Sequence, residues 1–410
     1  MRILLINHYA GSPEHGMEYR PYFMAQEWRR AGHRVRIVAA SESHVRSKRV
    51  VLQGDFRRET IDGIEYVWLK TPSYKGNGAA RAMNIFRFVW QLYRLAEKVV
   101  IDGFKPDAVI ASSTYPLDIY PAHHLASGCA ATLVWEVHDL WPLSPIELSG
   151  MSVFHPFIML MQHAENRACR LADKVVSMLP YADRHLLEHG MVAEKYLYVP
   201  NGIHADAWHI DATKLPESHA TLCNRLRREG RFLVCYAGAH GLANALQHLV
   251  SAAALSRDLP VSYILVGQGA EKEALQQQAN SLGLDNIHFL DPVPRSAIPA
   301  LLDRMDLLYI GLQRQSLFRF GISPNKLMDY MMAAKPIVQA IEAGNDMVGE
   351  SGCGFTVTPE DPQAIADAVR SVYGMSESER SALGQRGRSY VSAQHDYPVL
   401  AQRFLEAMQP

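Results

Sequence analysis

The stretch from Phe320 to Gln339 reads FGISPNKLMDYMMAAKPIVQ, and it joins a turn, a helix and a buried strand. Ser323 is suited to the N-cap and Pro324 to the first helical position, where a missing N–H costs nothing. Asn325 and Lys326 then fall in the first turn, where free backbone N–H groups and the helix dipole favour an anion. Leu327, Tyr330 and Met331 recur at helical spacing and predict a core-facing stripe. Pro336 ends the helix, and IVQAI reads as a strand. The same residues also describe an ordinary αβ unit that binds nothing.

Outward from this stretch, the pattern alternates. Upstream lie FLVCYAGAHG (232–241), VSYILVGQGA (261–270), NIHFLDPVP (286–294) and DLLYIGL (306–312), with helical segments between them. Further upstream come RILLIN (2–7), a helix from about Met17 to Ala31 stopped by Gly32, and RVRIVAA (34–40). IDGIEYVWL (61–69), DAVIA (107–111), ATLVWEV (131–137) and DKVVSML (173–179) follow, and YLYVPNGI (196–203) closes this half. Such repetition predicts an α/β fold with two parallel sheets. Residues 205–230 are polar and weakly periodic, and read as a linker. No G-x-G-x-x-G follows the first strand, so a dinucleotide site is not supported.

The 410 residues suffice for two domains. Net charge is −1, but residues 1–110 hold 18 Lys+Arg against 11 Asp+Glu, a net of +7. This bias suits an anionic surface or ligand on the N-terminal side, and lacks the dense basic stripe that nucleic acid requires. Five scattered cysteines show no metal-ligand or redox spacing, consistent with a reducing cytoplasm. No carboxylate pair or histidine cluster is placed for a metal. No apolar run reaches the length of a membrane span. A helix over Arg81–Val100 puts Arg87, Arg94 and Lys98, spaced seven and four apart, on one face. With Phe86, Phe88, Trp90 and Tyr93 it reads as an interfacial helix, or as a core helix with an exposed basic stripe. The apolar patch at 151–161 is open to the same two readings.

The chain resembles glycosyltransferase family 4. The similarity rests on V-P-N-G-I at 199–203, on V-G-x-G at 266–269, on N-I-x-F-L, on P-x-x-x-I-P-x-L, and on the opening stretch, in that order over nearly the whole chain. The SPNK-L-x-D-Y-M form is similar to a subset that includes N-acetylfucosamine-type transferases of O-antigen and capsule synthesis. The resemblance implies the GT-B architecture, with two Rossmann-like domains facing a central cleft. The expected boundaries are 1–204 for an acceptor domain, with a C-terminal helix (394–410) packing back on it, and 231–393 for a nucleotide-sugar domain. It also implies retention of anomeric configuration with no metal and no cofactor. Residue by residue, it points to Gly16 in a glycine loop under the donor diphosphate and His138 beside the donor sugar. Gly238 and Gly267 belong to the donor site, Pro292 and Val293 to the loop that reads the nucleobase. Asp329 falls on the acid that binds ribose.

The departures are informative. The family's diphosphate-binding Arg and Lys fall on Ala239 and Asn244, and its first acid falls on Gly321. Lys326 and Arg319 are the candidates to replace the missing cations, with the helix start at Ser323, Pro324 and Asn325, and His240 as a further donor. The lost acid fits a deoxy or N-acetylated sugar. The expected protein is thus a retaining transferase moving sugar from a UDP-linked donor to a lipid-linked saccharide in cell-surface polysaccharide synthesis. It would be cytoplasmic and attached to an anionic membrane surface through Arg87, Trp90, Arg94 and Lys98. A sugar-nucleotide 2-epimerase and a non-catalytic sugar-nucleotide-binding scaffold are the alternatives.

Overall fold

The computed structural model describes residues 1–16, 19–44, 46–76 and 78–409. In chain order the first elements are β1 (Arg2–Ile6), α1 (Arg20–Arg30), β2 (Arg34–Ala40), β3 (Phe56–Ile61), β4 (Ile64–Leu69), α2 (Ala79–Arg94) and β5 (Ala108–Ala111). Next come α3 (Ile119–Cys129), β6 (Thr132–Val137), α4 (Leu143–Ser149), α5 (Pro156–Leu171), β7 (Lys174–Ser177), α6 (Ala182–Glu188) and β8 (Tyr196–Tyr198). The second half holds α7 (Glu217–Arg228), β9 (Phe232–Ala237), α8 (Leu246–Leu255), β10 (Val261–Val266), α9 (Lys272–Ser281), β11 (Ile287–Leu290), α10 (Ile298–Asp303) and β12 (Leu307–Gly311). It ends with α11 (Asn325–Met332), β13 (Ile337–Ala340), α12 (Met347–Ser351), β14 (Gly354–Thr356), α13 (Pro362–Gly374), α14 (Glu377–Gln394) and α15 (Tyr397–Glu406).

The chain forms two compact units. The first comprises Met1–Asn201, Phe320–Ser323 and the segment from Tyr397 onward. Its eight strands run in the order β3-β4-β2-β1-β5-β6-β7-β8, parallel except for the β3–β4 hairpin. The strand order reverses between β1 and β5, which places a ligand crevice at their carboxyl ends. Central strands are continuous Val/Ile/Leu runs because both faces are covered. α15 supplies part of that cover. Phe404 meets Trp28 at 5.2 Å between rings, and Trp28 Nε1 donates to the carbonyl of Ala401. Burying one such aromatic contributes roughly 1.5–3 kcal/mol.

The second unit comprises Gly202–Arg319 and Pro324–Asp396. Its six strands are all parallel, in the order β11-β10-β9-β12-β13-β14, with the reversal between β9 and β12. The division falls at Asn201 rather than 204, since Ile203 bridges to Asp396 within the second unit.

Several expectations are corrected. Residues 205–230 are not a free linker. They carry α7, whose Cys223 and Leu226 are buried, and α7 packs on β9. Ser323 is not the N-cap and Pro324 is not the first helical residue. Pro324 is extended and caps α11, while Ser323 Oγ accepts from the backbone N–H of Asn201 at 2.9 Å. The start expected for the first helix, Met17, lies outside the described residues. Its end is as read, with Gly32 at φ +87°. The Arg81–Val100 helix stops at Arg94, and a π-turn follows over Ala96–Val100. The wider turn takes Lys98 out of register with Arg87 and Arg94. Phe88 is fully buried against His8, so it does not belong with the exposed Phe86, Trp90 and Tyr93.

Candidate functional site

In the second unit, the carboxyl end of β9 runs into Gly238–Gly241 and that of β10 into Gly267–Glu271. The two loops are laced together, His240 N donating to Gln268 O and Glu271 N to His240 O, both at 2.9 Å. Glycine is required by this approach. A Cβ on Gly267 would lie 1.8 Å from Gly238 O, and one on Gly269 would lie 2.3 Å from His240 O. A Cβ on Gly238 would come within 3.0 Å of Lys326 Nζ.

Lys326 reaches this glycine shelf from the first turn of α11. Its Nζ donates to Tyr236 Oη at 2.7 Å and to Asn244 Oδ1 at 2.8 Å, and sits 4.4 Å above the Tyr236 ring. Burial pulls the ammonium down to about 8. Two acceptors thus meet three ammonium protons among the described residues. The structure brings Lys326 to Asn244, the position where the family's lysine was expected. His240 is fully buried, and neither ring nitrogen has a hydrogen-bond partner among the described residues. Burial, then Lys272 and Lys326, push its pKa down to about 4, so the ring is neutral.

Asp329, expected at the ribose, is buried. Both of its oxygens are taken by Arg295, at 2.5 and 2.8 Å. Burial raises its pKa, and Arg295 partly opposes this. Arg295 follows Pro292 and Val293 in the loop after β11, so one salt bridge ties that loop to α11. Pro292 is exposed and Val293 half-buried. Arg319 is exposed and donates to Ser316 O within its own turn. Asn325 is exposed at the start of α11. Gly321, where the first acid is missing, has φ +99°, a conformation that disfavours any side chain.

In the first unit a buried network lies at the carboxyl ends of β1, β5 and β6. Arg20 pairs with Glu136 at 2.8 Å, both side chains being 2% exposed. The guanidinium also donates to the carbonyls of Val199 and Pro200. Ser112 Oγ gives its proton to Glu136 Oε2 at 2.6 Å and lies 2.9 Å from His138 Nε2. Asn7 Nδ2 donates to the carbonyl of Ser112. Burial opposes the charge on Glu136, but Arg20, His138 and Ser112 outweigh it and hold the carboxyl well below the usual range. The network fixes the His138 ring. Beside it, burial raises Asp118 to about 7. Gly16 closes a turn with Ser12 at φ +89°, packed on Ser47.

After His138, Asp139 opens into a cavity of about 860 Å³ between α2, α4 and α5. Its walls include Ile85, Phe86, Trp141, Leu148, Phe157 and Leu160, with Arg81 among them. Phe86, Leu148 and Leu160 are themselves exposed, and the neighbouring Phe154 is 81% exposed. The patch at 151–161 is thus divided, with Ile158 and Met161 in the core. Among the described residues no helix is long and apolar enough to cross a membrane.

Sequence reasoning missed Arg295, Tyr236 and the Arg20–Glu136–Ser112 network. It also placed no metal cluster, yet Glu165, His185 and His189 gather their ligand atoms within 4.8 Å of one another.

The glycosyl transferase 4-like domain model matches residues 15–202, and the model for glycosyl transferases group 1 matches residues 230–374. The D-rhamnosyltransferase WbpZ of Pseudomonas aeruginosa is 34% identical over 290 residues, covering 66% of this chain and 71% of that protein. WcaI of Escherichia coli K12, named as a glycosyl transferase of colanic acid biosynthesis, is 23% identical over 360 residues, covering 84% and 85%. Among solved structures, HepE of Anabaena in complex with UDP superposes with a TM-score of 0.68 at 17% identity over 99% of both chains. The two-sheet α/β fold is that of GT-B glycosyltransferases. The chain belongs to the glycosyltransferase family that joins a 4-like domain to a group 1 domain.

Proposed function

We propose that the protein transfers a deoxyhexose, plain or N-acetylated, from a UDP-linked donor to a lipid-linked saccharide in cell-surface polysaccharide synthesis, with retention and without metal. The observation that carries this reading is the buried ammonium of Lys326 on the glycine shelf of β9 and β10. It supplies, from a different helix, the cation absent at Ala239 and Asn244. A leaving diphosphate would meet it, together with the N–H groups at the start of α11, as charge develops. Holding such charge by fixed donors is what removes the need for a metal. His138, fixed through Ser112 and Glu136, would meet the sugar in transit. WbpZ is named for D-rhamnose, a deoxyhexose, and WcaI for colanic acid. HepE binds UDP. The apolar cavity next to His138 suits the chain of an amphiphilic acceptor, and the side of α2 that carries Arg87, Trp90 and Arg94 suits peripheral attachment to the inner face of the membrane.

The test is incubation with UDP-, GDP- and dTDP-linked deoxyhexoses, with and without membrane lipid extract, following nucleotide, sugar and product anomer. UDP release that needs lipid, with a retained anomer, is the expected result. UDP release or an epimer without acceptor would instead make the protein an epimerase. Donor binding with no turnover would make it a scaffold.

A further inference from the structure

We infer that Glu165, His185 and His189 form a binding site for a divalent transition-metal ion of the zinc class, separate from the His138 and Lys326 clusters. Glu165 lies on α5. His185 lies on α6 and His189 caps its end, four residues apart and so on one helical face. Glu165 Oε1 is 3.0 Å from His185 Nε2, and Oε2 is 4.0 Å from His189 Nε2. Three ligands at tetrahedral zinc stand about 3.4 Å apart, so these separations bracket the required geometry.

His189 Nδ1 is held on the far side of the ring, 2.9 Å from both Gln162 Nε2 and Asn166 Oδ1. Gln162 Nε2 also donates to Glu165 Oε2 at 2.7 Å. His189 Nε2 faces that same carboxylate oxygen at 4.0 Å, too far for a hydrogen bond. A cation between the two fits this gap. An imidazole oriented through its other nitrogen is how metal-bound histidines are held. The charge balance agrees. Glu165 is 1% exposed, and the groups that meet its carboxylate among the described residues are Gln162 and the two histidines, with no Lys or Arg. A buried carboxylate without a full counter-charge is costly, and a divalent ion supplies one. His189 is 24% exposed, which leaves water as the fourth ligand.

Two imidazoles with one carboxylate select zinc over magnesium or calcium. The ion would bind α5 to α6. The His185 ring packs on Phe320, and Tyr181 N donates to Phe320 O, so the ion also fixes the residues that lead into Gly321–Ser323.

The untagged protein, stripped with chelator, incubated with zinc sulfate and dialysed, should retain about one zinc per chain by mass spectrometry. Its melting temperature should rise with added zinc, and cobalt should give visible bands of a low-coordinate site. His189→Ala and Glu165→Gln each remove a ligand and should lower zinc affinity by more than the roughly 10–100-fold that follows loss of an outer-shell partner. An unshifted melting temperature with no retained zinc in the wild type overturns the site without recourse to any variant. Undiminished zinc in the His185→Ala/His189→Ala protein assigns the metal to other groups and also overturns it.

Discussion

The ammonium of Lys326 lies 2.8 Å from Oδ1 of Asn244, so one amide orients the cation where a second cation would repel it. Lys326→Ala should weaken UDP binding by about 1.5–3 kcal/mol, the scale of a hydrogen bond to a charged group. Asn244→Lys in the wild-type background should also weaken it, whereas Asn244→Lys added to Lys326→Ala should recover part of the loss. Calorimetry showing unchanged affinity in folded Lys326→Ala removes Lys326 from the site.

Because burial lowers Lys326 to about 8, the free protein is partly deprotonated there at pH 8. A bound diphosphate favours the charged form and raises that pKa. Donor binding near pH 8–9 should therefore take up protons and weaken as pH rises further. Calorimetry in buffers of different ionisation enthalpy reads the uptake directly. Zero uptake at pH 8.5 contradicts the contact.

Arg295 answers the buried Asp329 from an exposed position, so Arg295→Ala should cost about 1–2 kcal/mol, less than for a wholly buried pair. Burial raises Asp329, and without Arg295 it should rise further. The folded state then holds a proton that the unfolded state has lost, so stability falls as pH rises through that range. The variant's deficit should accordingly shrink as pH falls, as denaturant melts at a series of pH values would show.

Arg20→Ala leaves the buried Glu136 without its guanidinium partner, and should cost about 3–5 kcal/mol. Glu136 is held below the usual carboxylate range. Its stabilising contribution is therefore present above the unfolded pKa and lost as pH falls below it. His138→Ala should instead keep most stability and lower kcat more than donor affinity. Parallel loss of melting temperature and turnover in His138→Ala would assign the ring to structure.

Trp90 lies under two guanidiniums, Arg87 at 4.3 Å and Arg94 at 5.0 Å, on the exposed side of α2. Each basic residue at an anionic bilayer adds about 1 kcal/mol. The Arg87→Glu/Arg94→Glu/Lys98→Glu protein should float with anionic liposomes much less than wild type. Arg94 also pairs with Asp55, and Lys98 sits on the π-turn, so Arg87 should carry the largest single share. Indifference to lipid charge would make α2 a solvated helix.

The buried strands were legible because parallel sheets write themselves as unbroken apolar runs, as in Leu233–Tyr236 and Tyr263–Val266. β3 was not, since FRRETI is an exposed, charged edge strand with no apolar face to betray it. α7 was hidden for a similar reason, as few of its residues are buried. Lys326 could be proposed because Ala239 and Asn244 left a charge to be balanced. The Arg295–Asp329 pair could not, because it joins a loop to a helix 34 residues away with no local pattern. Ser323 misled because its hydroxyl is claimed by Asn201, 122 residues distant. His185 and His189 show their spacing in the sequence, but Glu165 joins them only through the packing of α5 on α6.

The return of α15 to the first unit sets an order of assembly during synthesis. Residues 202–396 of the second unit, apart from the four of Phe320–Ser323, are all on hand before Tyr397 leaves the ribosome. The sheet that is made first must wait longest, because Trp28 has no Phe404 to close over it until residue 404 is translated. A chain stalled or clipped before that point would thus leave the older half, not the younger, with its apolar layer uncovered and exposed to chaperones and proteases.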